Sequence, residues 1–347
     1  MAMTQTFTES YDEMLREAEL IDTVAHLEFG QGEDNTFVGS FRRLLQSRGK
    51  DVPYWYLMGV CGAAFRIQIH RNSWRMNSPD LICGFELTDY LFNAFGMEYE
   101  RIWVCGDQEK ISYARNALSR SLDKSIPAIG LGLDGKSYHG IVIGRQPTGA
   151  FMALDYSLPG YPHAVAEKMV WCYHVVTDSR PLLTEREQLI QGLGLARQFL
   201  TQTRAKSFHL GLDAYEYWYS TLVNPQHHNP YEDDWRAKDR NNGNYWIFIN
   251  LLDARIAAGR FCRDAAQRFP ACAENLKKLA EIYESITTIL KPFIMHKVIR
   301  PDTKISRAWP WTLHQRRKQA KCLLEIKALE ETGLPIIDDI LGMLNSE

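Results

Sequence analysis

No stretch of the 347 residues stays apolar for the length that a bilayer-spanning helix needs, so insertion into a membrane is not expected. The first twenty residues, MAMTQTFTESYDEMLREAEL, lack a basic region followed by an apolar core, so no secretion signal is expected there. No CxxC pair occurs among the seven cysteines, and their odd number and irregular spacing (Cys61, Cys83, Cys105, Cys172, Cys262, Cys272 and Cys322) argue against a disulfide framework. Reduced thiols in the cytoplasm are the expectation. A P-loop and a GxSxG elbow are both missing, which weakens nucleotide-binding and serine-hydrolase readings. Strong charge of either sign is missing too: the formal net charge is -2, so neither nucleic acid nor a membrane surface is an expected partner.

What is there is the composition of a globular chain, 45% apolar and 24% charged, long enough for one large domain or two ordinary ones. Residues 7–19 favour helix, and residues 35–45 form a second amphipathic segment with Phe37, Phe41 and Leu44 on one face. Leu87 to Phe95 reads as a helix stopped by Gly96, Tyr99 to Val104 as a strand, and Asp107 as the cap of a helix running to Leu122. Strands are expected over 126–133, in a hairpin over 138–155, and over 170–176. Helices followed by an antiparallel run of strands make an α+β pattern.

Near Arg180 the texture changes. Thr184 and Glu187 form a capping box, and the helical segments 212–223, 245–269, 273–294, 313–331 and 336–344 follow. The expected organisation is an α+β domain over 1–180 and an all-helical domain over 181–347, with the aromatic helix around Tyr215, Tyr217 and Trp218 buried by packing.

Two constellations are set aside. Gly130-x-Gly132-x-x-Gly135 matches the dinucleotide fingerprint by letter, but a strand and not a helix follows it, so the glycines serve a hairpin. His227-His228 with Asp233-Asp234 reads as a solvated loop and not as a metal site, since adjacent side chains rarely converge and no HExxH supports them.

A third constellation carries chemistry. In the hairpin, pairing Gly144 with Ala150 across a five-residue loop puts His139 directly opposite Asp155, on one sheet face. A carboxylate beside an imidazole orients it as a base, which a nucleophile requires. Cys61, flanked by Gly59 and Gly62 in Tyr54-Trp55-Tyr56-Leu57-Met58-Gly59-Val60-Cys61-Gly62-Ala63-Ala64-Phe65-Arg66, is expected at a helix start, where unpaired N–H groups favour a thiolate. Taken alone, Cys61 reads more simply as an inert core thiol.

The order of Cys61, His139 opening a strand and Asp155 followed by Tyr156-Ser157 resembles the C39-type peptidases of the papain-like superfamily. More distantly it resembles the N-terminal domain of butirosin biosynthesis H proteins, and the Leu57 to Arg66 stretch with the helical tail looks like uncharacterised bacterial proteins attached to those families. The likeness covers about 52–176, with a looser one in Ala214-Tyr215-Glu216-Tyr217-Trp218 and Leu252-Asp253-Ala254-Arg255. It implies a papain-like domain in which Cys61 is the nucleophile, His139 the base and Asp155 its orienter, acting without metal or organic cofactor. The substrate would be a small-molecule or carrier-protein-bound acyl group, in acyl transfer or in amide or thioester hydrolysis. The C39 pattern places an oxyanion glutamine six residues before the cysteine, where this chain has Trp55, so Gln68 or a backbone N–H would have to substitute. The other reading is a non-enzymatic descendant that binds a small molecule or partner protein in the same cleft, with Trp55 filling part of it. A homo-oligomer is left open.

Overall fold

The structure, a computed structural model, describes residues 18–21, 26–72, 74–158, 160–224, 235–295 and 312–346. Most of the helix expected over 7–19, and all of His227, His228, Asp233 and Asp234, lie outside the described residues. The chain is α+β and divides into two compact units, the first made of Met1–Tyr54 and Gly96–Pro181, the second of Trp55–Phe95 and Leu182–Glu347.

In the first unit, Asn35 accepts a hydrogen bond from the Val38 N–H at 3.3 Å and so starts α1 (Thr36–Ser47). Phe37, Phe41 and Leu44 fall on its buried face, as their spacing predicts. Each such side chain contributes about 1.5–3 kcal/mol by leaving water. Asp107 caps α4 (Gln108–Leu122) by accepting from the N–H groups of Glu109 and Lys110. The strands are β1 (Glu19–Leu20), β3 (Met97–Trp103), β4 (Ala128–Leu131), β5 (His139–Arg145), β6 (Phe151–Leu154), β7 (His163–Ala164) and β8 (Cys172–Ser179). They form one antiparallel sheet in the order β3-β8-β4-β5-β6-β7, with β1 added to β5.

The registers assign the two faces. Leu131 opposes both His139 and Cys172, Ile129 opposes both Ile141 and His174, and Arg101 opposes His174. All of these therefore share one face, and Phe37 of α1 packs its ring against both histidines there. Val142, Ala153, Tyr173 and Val175 take the other face, in a core with Ile111, Ala114 and Leu118 of α4. The first unit is thus a sheet with α1 against one face and α4 against the other.

The hairpin departs from the expected register. Its turn closes between Gln146 and Ala150, whose N–H and C=O meet at 2.8 Å, and Gly144 pairs with Met152 instead of Ala150. A bulge between Val142 and Gly144 then takes back one residue, so Val142 pairs with Ala153 and Ile141 with Leu154. A net slip of one residue sends side chains to the opposite face.

In the second unit, α2 (Tyr54–Val60, whose first residue belongs to the first unit), β2 (Gln68–His70) and α3 (Thr88–Ala94) group with α5 (Glu185–Thr201), β9 (Arg204–Ala205), β10 (Phe208–Leu210), α6 (Gly211–Val223), α7 (Trp235–Arg268), α8 (Ala273–Met295) and α9 (Leu313–Ser346). The capping box at Thr184 and Glu187 is present at the start of α5. The single cut expected near residue 180 does not describe this grouping, because residues 55–95 find their partners among the helices. Gln191 of α5 donates to the Val60 and Tyr90 carbonyls at 2.9 and 3.2 Å, and β2 pairs with β10 in a three-stranded sheet. For the same reason the C-terminal part is not purely helical. The helices expected over 313–331 and 336–344 are one, α9, running through Pro335. Its buried residues Ile326, Glu330, Gly333, Ile337, Ile340 and Leu344 keep one helical face across the proline.

The aromatic helix α6 buries Ala214, Tyr215 and Trp218 completely. Tyr215 Oη donates to Glu330 Oε1 at 2.8 Å, and Arg255 Nε reaches the same oxygen at 2.5 Å while its Nη1 donates to the Ala64 carbonyl at 2.8 Å. Burial opposes the charge on Arg255, but Glu330 and Tyr215 hold its pKa above the usual value on balance. Tyr215 and Arg255, which carry part of the distal resemblance, therefore serve as a buried polar brace.

Candidate functional site

The first unit brings His139 to a helix start, but the group that meets it is a hydroxyl. Thr36 is the first residue of α1, partly exposed, and its Oγ1 accepts the His139 backbone N–H at 3.1 Å. The same oxygen lies 3.5 Å from His139 Nδ1, at the outer limit of a hydrogen bond. The His139 ring is fully buried, edge-on to Phe37 at 5.0 Å between centroids.

A second buried histidine extends the arrangement. His174 stands 6.1 Å from His139 between ring centroids and also packs edge-on to Phe37, at 5.2 Å. Arg101 donates its Nε–H to His174 Nε2 at 3.0 Å and an Nη2–H to Tyr99 Oη at 3.0 Å. Since Nε2 accepts, the His174 proton is assigned to Nδ1 and the ring is neutral. Burial first, then the neighbouring His139 and Arg101, hold the pKa of His174 well below the usual histidine value. The site is a line of polar groups on the α1 face: Thr36, His139, His174, Arg101.

Asp155 does not join it. The residue follows Leu154, which shares the α1 face with Ile141, so Asp155 turns to the α4 face. There its Cβ would lie 2.8 Å from a Cβ added to Gly140. Its Oδ1 accepts from the Ser157 N–H at 2.7 Å and the Ser157 hydroxyl at 2.5 Å. Its Oδ2 faces His163 Nε2 at 3.6 Å, and Asp134 Oδ2 approaches the same nitrogen at 3.2 Å. The sequence paired Asp155 with the wrong imidazole, and the bulge in β5 is the cause. Beside Ser157, Tyr138 has its pKa raised, by burial before any charge.

The expected helix start at Cys61 is corrected. Cys61 follows the last residue of α2 instead of opening a helix: its N–H donates to Leu57 O at 3.1 Å, its thiol donates to Met58 O at 3.7 Å, and the backbone N–H of Ala63 beside the sulfur does not offset its burial. The side chain is wholly buried, and that burial pushes the thiol up to about 12, the reverse of activation. Gly62 next to it has φ +78°, and an added Cβ there would come 2.7 Å from Leu195 Cβ, so the glycines serve a tight turn and close packing.

Gln68 is likewise committed elsewhere. Its Nε2 donates to the carbonyls of Ser78 and Cys83 at 2.7 and 2.8 Å, and its Oε1 accepts the Phe85 N–H at 3.1 Å. These bonds clamp the 78–85 loop and leave no group for an oxyanion. Trp55 is partly exposed on α2, with its ring 6.0 Å from that of Tyr56. Among the described residues, no group of three or more His, Cys, Asp or Glu side chains is placed to hold a metal ion.

Thr36 was not singled out from the sequence, although a signal existed. Asn35-Thr36 opens an amphipathic run, and a hydroxyl at the first helical position is where a helix-start nucleophile would stand. No family model matches the chain, and no curated protein is similar to it.

Proposed function

We propose that the protein is a non-enzymatic binding module on a papain-like scaffold of the C39 type, taking an acyl-bearing small molecule at the Thr36–His139 site. The observation that carries this reading is the identity of the group beside His139. A thiol there would ionise and attack; a threonine hydroxyl is a far weaker nucleophile near neutral pH, but it is a good partner for a carbonyl oxygen. Two further observations support it: the thiol expected to react is buried and resists ionisation, and Asp155 accepts from Ser157. No helix among the described residues is long and apolar enough to cross a membrane.

One observation favours a second reading, in which Thr36 is itself acylated: the 3.5 Å separation from His139 Nδ1 allows the imidazole to take the hydroxyl proton. One experiment tests both. The protein is incubated with hexanoyl N-acetylcysteamine thioester while thermal midpoint, free thiol and intact mass are followed. The binding reading expects a raised midpoint with no thiol released and no added mass, and loss of the shift in Thr36→Val. Thiol release with a hexanoyl group on Thr36 replaces it by the second reading. No shift and no turnover would sink both.

A further inference from the structure

The first turns of α9 carry charge of the wrong sign for a helix start. His314, Arg317, Lys318 and Lys321 follow the i, i+3, i+4, i+7 spacing of one helical face, and all four are exposed. The first turn contains no acidic residue. The helix dipole places partial positive charge at this end, so cations here are disfavoured, and like charges three and four residues apart disfavour the helix again. Arg316 registers the crowding: it is buried, donates to Leu222 O at 3.0 Å, and has its pKa lowered by burial and by Arg317.

The helix start is capped, with Thr312 Oγ1 accepting from the Gln315 N–H at 3.2 Å and Gln315 Oε1 accepting from the Thr312 N–H at 2.9 Å, but neither group is charged and the cations keep no acidic partner among the described residues. Lys318 Nζ lies over the Phe293 ring at 5.8 Å, and no ion pair joins Arg317, Lys318 or Lys321 to another described residue. The sequence around them is equally one-sided, with nine lysines and arginines between Lys291 and Lys321 against the single Asp302, in a chain whose net charge is -2. A local choice that opposes helix stability, in a segment whose other features agree with helix, points to a use outside the fold.

We propose that this face of α9 is a docking surface for an acidic helix of a partner protein. From His314 to Lys321 the stripe rises about 10 Å, two helical turns, so glutamates at the same spacing on a facing helix would meet Arg317, Lys318 and Lys321 in register. A long polyanion fits less well, because the rest of the chain is net acidic and the exposed stripe ends after two turns. A lipid surface fits less well too, because Leu324 is the only large apolar side chain exposed on the first four turns of α9, leaving little to insert.

The test uses the full chain and a fluorescent helical peptide about three turns long with glutamate at i, i+3, i+4 and i+7. Anisotropy is read at low and at high salt, beside phosphatidylglycerol vesicles and duplex DNA. Wild type should bind the peptide, with affinity falling about tenfold as salt screens the contact. Reversing the stripe in Arg317→Glu/Lys318→Glu/Lys321→Glu should weaken binding at least about tenfold, while Lys277→Glu/Lys278→Glu on α8 should not. The reversed variant should melt at or above the wild-type temperature, since its charges suit the dipole; if it fails to fold, the triple glutamine variant takes its place. Equal binding by the stripe variant and wild type, no binding by wild type, or tighter binding to vesicles or DNA than to the peptide, overturns the proposal.

Discussion

Asp155 points its Oδ2 at His163 Nε2, 3.6 Å away on the α4 side of the sheet, while His139 lies under α1 on the other side. The pairing of the hairpin ends at Ile141 and Leu154, and Tyr156 beyond it donates its hydroxyl to the Glu33 carbonyl at 3.0 Å. Two side chains that a small change of turn would have made partners are separated by the thickness of a β-sheet.

That separation predicts additivity. Asp155→Ala removes the acceptor of two Ser157 donors, one of them a backbone N–H, and should destabilise the first unit by about 1–3 kcal/mol. Combined with His139→Gln, the cost should equal the two single costs to within about 0.5 kcal/mol in urea unfolding. A coupling well above that would restore the pairing of His139 with Asp155.

The buried thiol predicts a labelling order. Burial that pushes the Cys61 thiol up to about 12 keeps it protonated at pH 7, and it is shielded as well. Cys105, exposed in a turn, should take up iodoacetamide first, and Cys61 only after denaturation. Mass spectrometry of tryptic peptides after brief exposure reads this directly; early alkylation of Cys61 in the folded protein would contradict the burial argument.

His174 predicts a pH dependence with a definite sign. Its folded pKa is depressed, so above the unfolded value of about 6.5 the ring is neutral in both states and contributes no slope. Below about 6.5 the unfolded chain binds a proton that the folded one refuses, and stability falls by up to about 1.4 kcal/mol per pH unit until the folded pKa is reached. His174→Gln, which can still accept from Arg101, should flatten the fall in thermal midpoint between about pH 6.5 and 5. An unchanged slope in that variant would assign the effect to another group.

What the sequence by itself determined are the features whose causes lie within a few residues. The Asp107 cap, the capping box of Thr184 and Glu187, and the apolar face of Phe37, Phe41 and Leu44 are local chemistry, and the structure has each of them. Tertiary structure decided the rest. The bulge in β5 carries no composition signal, because Ile143 suits either register, and only the packing of both sheet faces selects one. Glycine spacing alone put Cys61 at a helix start, whereas the structure ends a helix there, with Gly62 turning closely against Leu195. The pairing of β2 with β10 spans about 140 residues, and the meeting of Thr36 with His139 spans 103, so no local pattern could announce either. Contacts of that range follow from which faces must be buried together, and that is a property of the whole fold.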